Sequence, residues 1–336
     1  MNEKNNDLEA DKLQKLILFD DSNVSESQAL SEQTKVSEEI DQKDNIKLLN
    51  ELKPIGGKFQ YNATISNESL ALIKEVNIKI EYPNFLELNR SIPPTLTIVP
   101  PRITEEDEEI TTTQVKIEFD KIPEGQLKKI SLFFNPLQSN EEGEIRTFAA
   151  FVNVDDYIRV INSEPMMINL KQTNIQPQII PSSQIADFLK QAEIKKSIRS
   201  IGIGKEEKLD YEFIFNRLEV ILRANNFQFI AKDKKKQIIW YFGEDLESNT
   251  DILVIGQVKS NKIEWITVSE NPLLNISLLT QFSNELEENL VRLGIINSDD
   301  QLFILDCKAC GYVLPKFPKK GKSVECKKCG VDQTIW

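Results

Sequence analysis

Apolar residues alternate with polar ones through much of the first half of the chain. Phe59, Tyr61, Ala63 and Ile65 form one such run; Val76, Ile78, Ile80 and Tyr82 form a second; Val115, Ile117 and Phe119 form a third. Ile130, Leu132 and Phe134 follow, then Phe148, Ala150, Val152 and Val154, and then Met166, Ile168 and Leu170. A period of two turns one face of each run toward a core, so each run predicts a strand. Turn-forming residues separate the runs at 67–69, 93–94, 100–101, 123–125 and 140–143. No helical period intervenes, so the sheets are expected to be antiparallel.

The period lengthens further on. Pro177 and Pro181 mark a linker, and Ser182 or Ser183 can cap a short helix carrying Ile185, Phe188 and Leu189. A strand is predicted over 198–203, ending at Gly204. Tyr211, Ile214, Phe215, Leu218, Ile221 and Leu222 lie on one face of a helix that Asn225-Asn226 can end. Four strands over 227–231, 237–242, 252–258 and 262–268 have links short enough for hairpins. Leu279, Phe282, Leu286, Leu290 and Leu293 then form the stripe of a last helix, closed by Gly294. The pattern predicts a curled antiparallel sheet with helices on one face. Trp240 and Trp265 fall in its strands. With one face open, one of them can stand exposed as a docking point for a peptide; the reading that buries both is preferred.

The expected fold class is a multi-domain α+β chain. Residues 52–172 read as an immunoglobulin-like β-sandwich, 173–297 as an antiparallel-sheet-and-helix platform, and 298–336 as a zinc ribbon. Residues 1–51 read as a disordered acidic tail, with partial helix over 25–52. Twelve acidic residues face six lysines between Met1 and Asn50, too few apolar side chains to offset the ordering entropy. One apolar island, Leu8, Leu13 and Leu16 to Phe19, precedes Asp20 and Asp21. It reads as a short linear docking motif or a transient helix.

The chemistry concentrates at the C-terminus. Cys307 and Cys310 form one C-x-x-C pair, Cys326 and Cys329 another, fifteen residues apart, and the 336-residue chain has no other cysteine. Gly311 and Gly330 follow the pairs, as a turn aiming backbone N–H groups at sulfur requires. This is the spacing of a four-thiolate zinc site. The alternatives are free or bridged thiols, or iron, since Cys310-Gly311-Tyr312 looks like a rubredoxin knuckle. The short gap and the absence of a proline after Cys326 favour zinc.

Composition narrows the function. The chain has no histidine, which removes the commonest general base. Four cysteine ligands leave a metal no open position for water. Ile201-Gly202-Ile203-Gly204-Lys205 lacks the ending and spacing of a phosphate loop. No enzymatic role is expected. The polar, acidic N-terminus lacks the pattern of a secretory signal, no run is long enough for a membrane span, and the paired cysteines suit a reducing, cytoplasmic setting. A net charge of −12 disfavours binding to polyanions.

The element order resembles the appendage, or ear, of the coatomer gamma subunit and of the large adaptins of clathrin coats. The resemblance covers residues 53–297. It is carried by Tyr61-Asn62-Ala63-Thr64-Ile65-Ser66-Asn67 and Val76-Asn77-Ile78-Lys79-Ile80-Glu81-Tyr82-Pro83 in the sandwich. In the platform, Lys262-Ile263-Glu264-Trp265-Ile266-Thr267-Val268-Ser269-Glu270 and the stripe from Leu279 to Leu293 carry it. That family has a helical solenoid before the ear and no C-terminal ribbon, and this chain departs from it in both respects. The resemblance implies a platform that binds peptide motifs of protein partners, with Trp265 and Trp240 as candidate contacts, in a trafficking-type assembly. An alternative is a nucleic-acid- or transcription-associated protein, because a curled sheet with two helices resembles half of a TATA-box-binding protein. Its ribbon is basic, with Lys308, Lys316, Lys319, Lys320, Lys322, Lys327 and Lys328, which suit phosphates or an anionic membrane surface. The sequence leaves the oligomeric state open.

Overall fold

The protein is described by a computed structural model covering residues 34–41, 44–94, 96–99, 112–204, 209–259, 262–298, 301–315 and 322–334. These residues fall into two units, one within Leu30–Lys171 and one within Gln172–Trp336. The apolar island at Leu8 to Phe19 lies outside the described residues.

The first unit contains β1 (Lys35–Asp41), β2 (Ile46–Ile55), β3 (Lys58–Asn67), β4 (Ile73–Pro83), β5 (Leu86–Ile92), β6 (Thr97–Val99), β7 (Thr112–Ile122), β8 (Leu127–Pro136), β9 (Glu141–Val152), β10 (Ile158–Asn162) and β11 (Met166–Leu170). One sheet runs β1-β2-β3-β8-β5. The other runs β10-β9-β4-β7-β6, with β11 also beside β9, and the pairings are antiparallel. Inward side chains of the two sheets meet in a common core. The rings of Tyr82 on β4 and Phe134 on β8 lie 4.7 Å apart, and the hydroxyls of Tyr61 on β3 and Thr147 on β9 share a 2.5 Å hydrogen bond.

Two sequence-based expectations are corrected here. Lys35–Asp41 and Ile46–Ile55 are not a disordered or helical tail but two strands of the sandwich. Ile46, Leu48, Asn50 and Leu52 are all buried, so the period of two was present, interrupted by a polar residue at its centre and masked by surrounding charge. Gly56 and Gly57, both at positive φ, close β2 onto β3 in a two-residue hairpin. The second correction concerns β9. Its buried positions are Ile145, Thr147, Ala149 and Phe151, one residue out of step with the expected Phe148, Ala150, Val152 series. A slip by one reverses the faces. Both faces of this stretch are apolar, and the deciding residue is the polar Thr147, held inward by Tyr61.

The second unit contains β12 (Ile175–Pro177), α1 (Ser182–Phe188), β13 (Lys195–Ile203), α2 (Tyr211–Ala224), β14 (Gln228–Asp233), β15 (Ile238–Asp245), β16 (Thr250–Lys259), β17 (Lys262–Ser269), α3 (Pro272–Arg292) and β18 (Leu302–Ile304). The antiparallel sheet runs β12-β15-β16-β17-β13-β18, with β14 also on β15. The side chain of Asp210 caps α2 by accepting from Phe213 N, and Asn271 caps α3 by accepting from Leu273 N and Leu274 N. No helix among the described residues is long and apolar enough to cross a membrane.

The expected open face does not exist. The two long helices α2 and α3 cover one face of the sheet, over Ile239, Tyr241, Val254 and Trp265. The short helix α1, with Ile180, Leu189 and Ile194 around it, covers the other, over Trp240, Phe242, Leu253 and Ile255. Phe188 meets Phe242 edge-on at 5.5 Å, and Trp265 lies 5.2 Å from Phe282 of α3. Trp240 and Trp265 are each 0% exposed, and neither indole N–H has a hydrogen-bond partner. Neither presents a docking surface. The reason is legible in β15 and β16, whose runs Ile238-Ile239-Trp240-Tyr241-Phe242 and Ile252-Leu253-Val254-Ile255 are apolar on both faces. Such strands need cover on both sides.

Trp240→Ala and Trp265→Ala should therefore each cost about 3–5 kcal/mol of stability in denaturant titrations. A surface tryptophan would be lost at little cost. In the first unit, burial pushes the Tyr61 phenol up to about 12, against the opposing effect of its bond to Thr147. The folded state keeps this proton after the unfolded chain has lost its own. Stability from this residue is thus full below pH 10 and declines as pH rises toward 12. Tyr61→Phe should cost about 1 kcal/mol at neutral pH, and the gap to wild type should narrow across that alkaline window, followed by chemical denaturation.

Candidate metal centre

The cysteine segment grows from the sheet of the second unit. β18 pairs with the end of β13, Ile201 opposite Ile304 and Ile203 opposite Leu302. The ladder continues one step further, with Leu305 N donating to Ser200 O at 2.8 Å. Leu302–Ile304, beyond the expected boundary at 298, thus belong to the sheet of the second unit.

Two turns of like construction follow. In the first, Cys307 N donates to Tyr312 O at 2.8 Å and Gly311 N to Cys307 O at 2.7 Å. In the second, Cys326 N donates to Val331 O at 3.0 Å and Gly330 N to Cys326 O at 2.9 Å. Gly311 and Gly330 have φ of 73° and 71°, the left-handed conformation expected of them. β19 (Val324–Glu325) and β20 (Asp332–Gln333) flank the second turn as an antiparallel pair. The Gln333 side chain ties the two turns together by accepting from Lys308 N at 3.0 Å. No spacing rule in the sequence singles out Gln333.

The four sulfurs converge, all within 4.8 Å of one another. Cys307 to Cys329 and Cys310 to Cys326 are each 3.6 Å, far beyond a disulfide's ~2.05 Å. Tetrahedral thiolates about 2.3 Å from a common ion sit about 3.8 Å apart, close to this spacing. The cluster could therefore hold a metal ion. Leu305, Leu314, Cys307 and Cys326 are buried together, with Cys310 and Tyr312 packed against them. Leu305 and Leu314 thus give the thiols apolar support, and Val313 is half-buried.

The surroundings of the thiols act in both directions. Burial pushes the Cys307 thiol up and that of Cys310 up to about 12. At Cys326 burial is outweighed by N–H donors from Cys329 and Lys328, which bring the thiol down to about 7. Backbone N–H groups of Cys310 and Ala309 aim likewise at the Cys307 sulfur. N–H groups turned toward sulfur stabilise thiolates, and a bound cation stabilises them further. The four cysteines picked out by their spacing are the ones that converge; Trp240 and Trp265 lie in the core of the sheet and take no part.

No protein-family description matches the chain, and no curated protein does. Among solved structures, the chain aligns over 35% of its length with 92% of an uncharacterised Nocardia farcinica protein described as having an immunoglobulin-like fold, at 12% identity and a TM-score of 0.22. A GH20 exo-β-N-acetylglucosaminidase from Vibrio harveyi aligns with 65% of this chain and 38% of its own, at 10% identity and 0.21. A DUF4466 family protein from Parabacteroides merdae aligns with 64% of this chain and 92% of its own, at 9% and 0.22. At these scores none bears on function.

The centre makes a direct prediction. The full chain purified under reducing conditions should carry a single metal ion by elemental analysis, and Cys329→Ser should lose it. Chelation should accelerate amide exchange over 305–334 and leave the first unit protected. Unchanged protection of 305–334 after metal removal would reject the centre as a folding element.

Proposed function

We propose that the chain is a non-enzymatic adaptor or scaffold that binds protein partners. In this reading the first unit is an immunoglobulin-like sandwich, the second an appendage-like platform, and the C-terminal segment a zinc ribbon. The ribbon is structural, because four thiolates fill a tetrahedral shell and leave no position for substrate or water. Zinc is preferred to iron on the short gap between the pairs; a colourless protein with zinc by elemental analysis supports this, and the red of an iron–thiolate centre overturns it.

The observation that carries the interaction reading lies on the sandwich. Ile158 and Val160 on β10 are 74% and 59% exposed, opposite Val152 and Ala150 of β9. Val154 and Tyr157, in the adjoining turn, are also exposed. Apolar side chains gathered this way on one sheet face favour contact with an apolar segment of another protein. The role passes to this face from the two tryptophans, which are buried. A place in a vesicle-coat or trafficking assembly rests on the resemblance in element order.

The test is capture of partners by the full chain and by an Ile158→Lys/Val160→Lys double variant. Both positions are exposed, so the variant should unfold at the same denaturant concentration as wild type. Protein partners retained by wild type and lost by the variant support the reading. The same partners recovered equally by both reject this face.

A further inference from the structure

Three lysines of the C-terminal segment stand inside its cysteine turns. Lys308 lies inside the first C-x-x-C turn, Cys307-Lys308-Ala309-Cys310, and Lys327 and Lys328 fill the second, Cys326-Lys327-Lys328-Cys329. All three are exposed. Three of the four residues enclosed by the cysteine pairs are therefore cationic. The acidic residues of the described ribbon lie outside the turns: Asp306 is buried before the first, and Glu325 and Asp332 face each other across β19 and β20.

Four thiolates around a divalent ion leave two negative charges uncompensated. Those charges are fixed where the turns converge, because the four sulfurs lie within 4.8 Å of one another. The link from Lys308 N to Gln333 Oε1 holds the two lysine-bearing turns in register over the same cluster. We propose that Lys308, Lys327 and Lys328 are counter-charges of the metal–thiolate centre, setting how tightly it holds its ion. This inference rests on the metal-centre reading above. It also gives the ribbon's basic residues a role that needs no phosphate: within the turns, the positive charge answers a negative charge carried by the protein itself. The lysines act as positioning residues through the field they place at sulfur and are not ligands.

The test uses the full chain and zinc ion as probe, in competition with a chromophoric chelator under reducing conditions. In Lys308→Gln/Lys327→Gln/Lys328→Gln the affinity should fall roughly tenfold at low salt, for three charges removed from the vicinity of a dianion. The gap should close toward 1 M salt, where screening extends over only about 3 Å. The Lys→Arg triple variant should keep wild-type affinity, and Lys322→Gln, outside both turns, should change little. A Gln triple variant within about twofold of wild type at low salt overturns the inference, as does a loss that salt leaves untouched or that the Arg variant shares. A wild-type chain that takes up no zinc overturns the metal-centre reading, and this inference with it.

Discussion

A sheet whose strands are apolar on both faces must be covered twice, and the second unit is arranged around that requirement. β15 and β16 leave no polar face to turn toward water. Two long helices meet the demand on one side. On the other it is met by a single short helix with its flanking chain, anchored by Phe188 on Phe242. The two covers are unequal in length but complete, for a tryptophan is fully buried under each. What remains available for growth is the edge of the sheet. β18 joins there, and the cysteine segment continues directly from it.

The cysteine segment meets a different problem with different means. Its buried apolar cluster consists of Leu305, Leu314, Cys307 and Cys326, with Cys310 and Tyr312 beside them, too little to stabilise a fold by burial alone. A metal ion held by the four sulfurs would substitute for the missing core. Its backbone is correspondingly constrained: both turns place a glycine at positive φ and direct amides inward at sulfur. The extra bond from Gln333 makes the two turns one object.

The sequence was most informative where a physical rule has a short range. The cysteine spacing with its trailing glycines identified the four converging sulfurs, since both depend on a few neighbouring residues. The strands Phe59 to Ile65, Val76 to Tyr82 and Ile130 to Phe134 were legible because their alternation is unbroken. β2 was missed because Asn50 sits where an apolar residue was expected. The face of β9 was reversed because Thr147, polar and inward, makes sense only beside Tyr61, eighty-six positions away. The second face of the platform sheet was left open for a related reason. Helical periodicity counts the long helices well, and it gives little weight to a seven-residue helix that nonetheless closes an entire face. Features fixed by distant partners leave no local trace.

The placement of the tryptophans also makes the protein optically divided. Of the three in the chain, Trp240 and Trp265 belong to the second unit and Trp336 follows it in sequence, while the first unit has only tyrosine and phenylalanine. Indole emission therefore reports on the sheet-and-helix unit and its C-terminal extension and is blind to the sandwich. Within that unit Trp240 and Trp265 stand on opposite faces of one sheet, each under its own cover. With Trp336 replaced, one further substitution, at either buried indole, leaves a light source that watches a single cover lift.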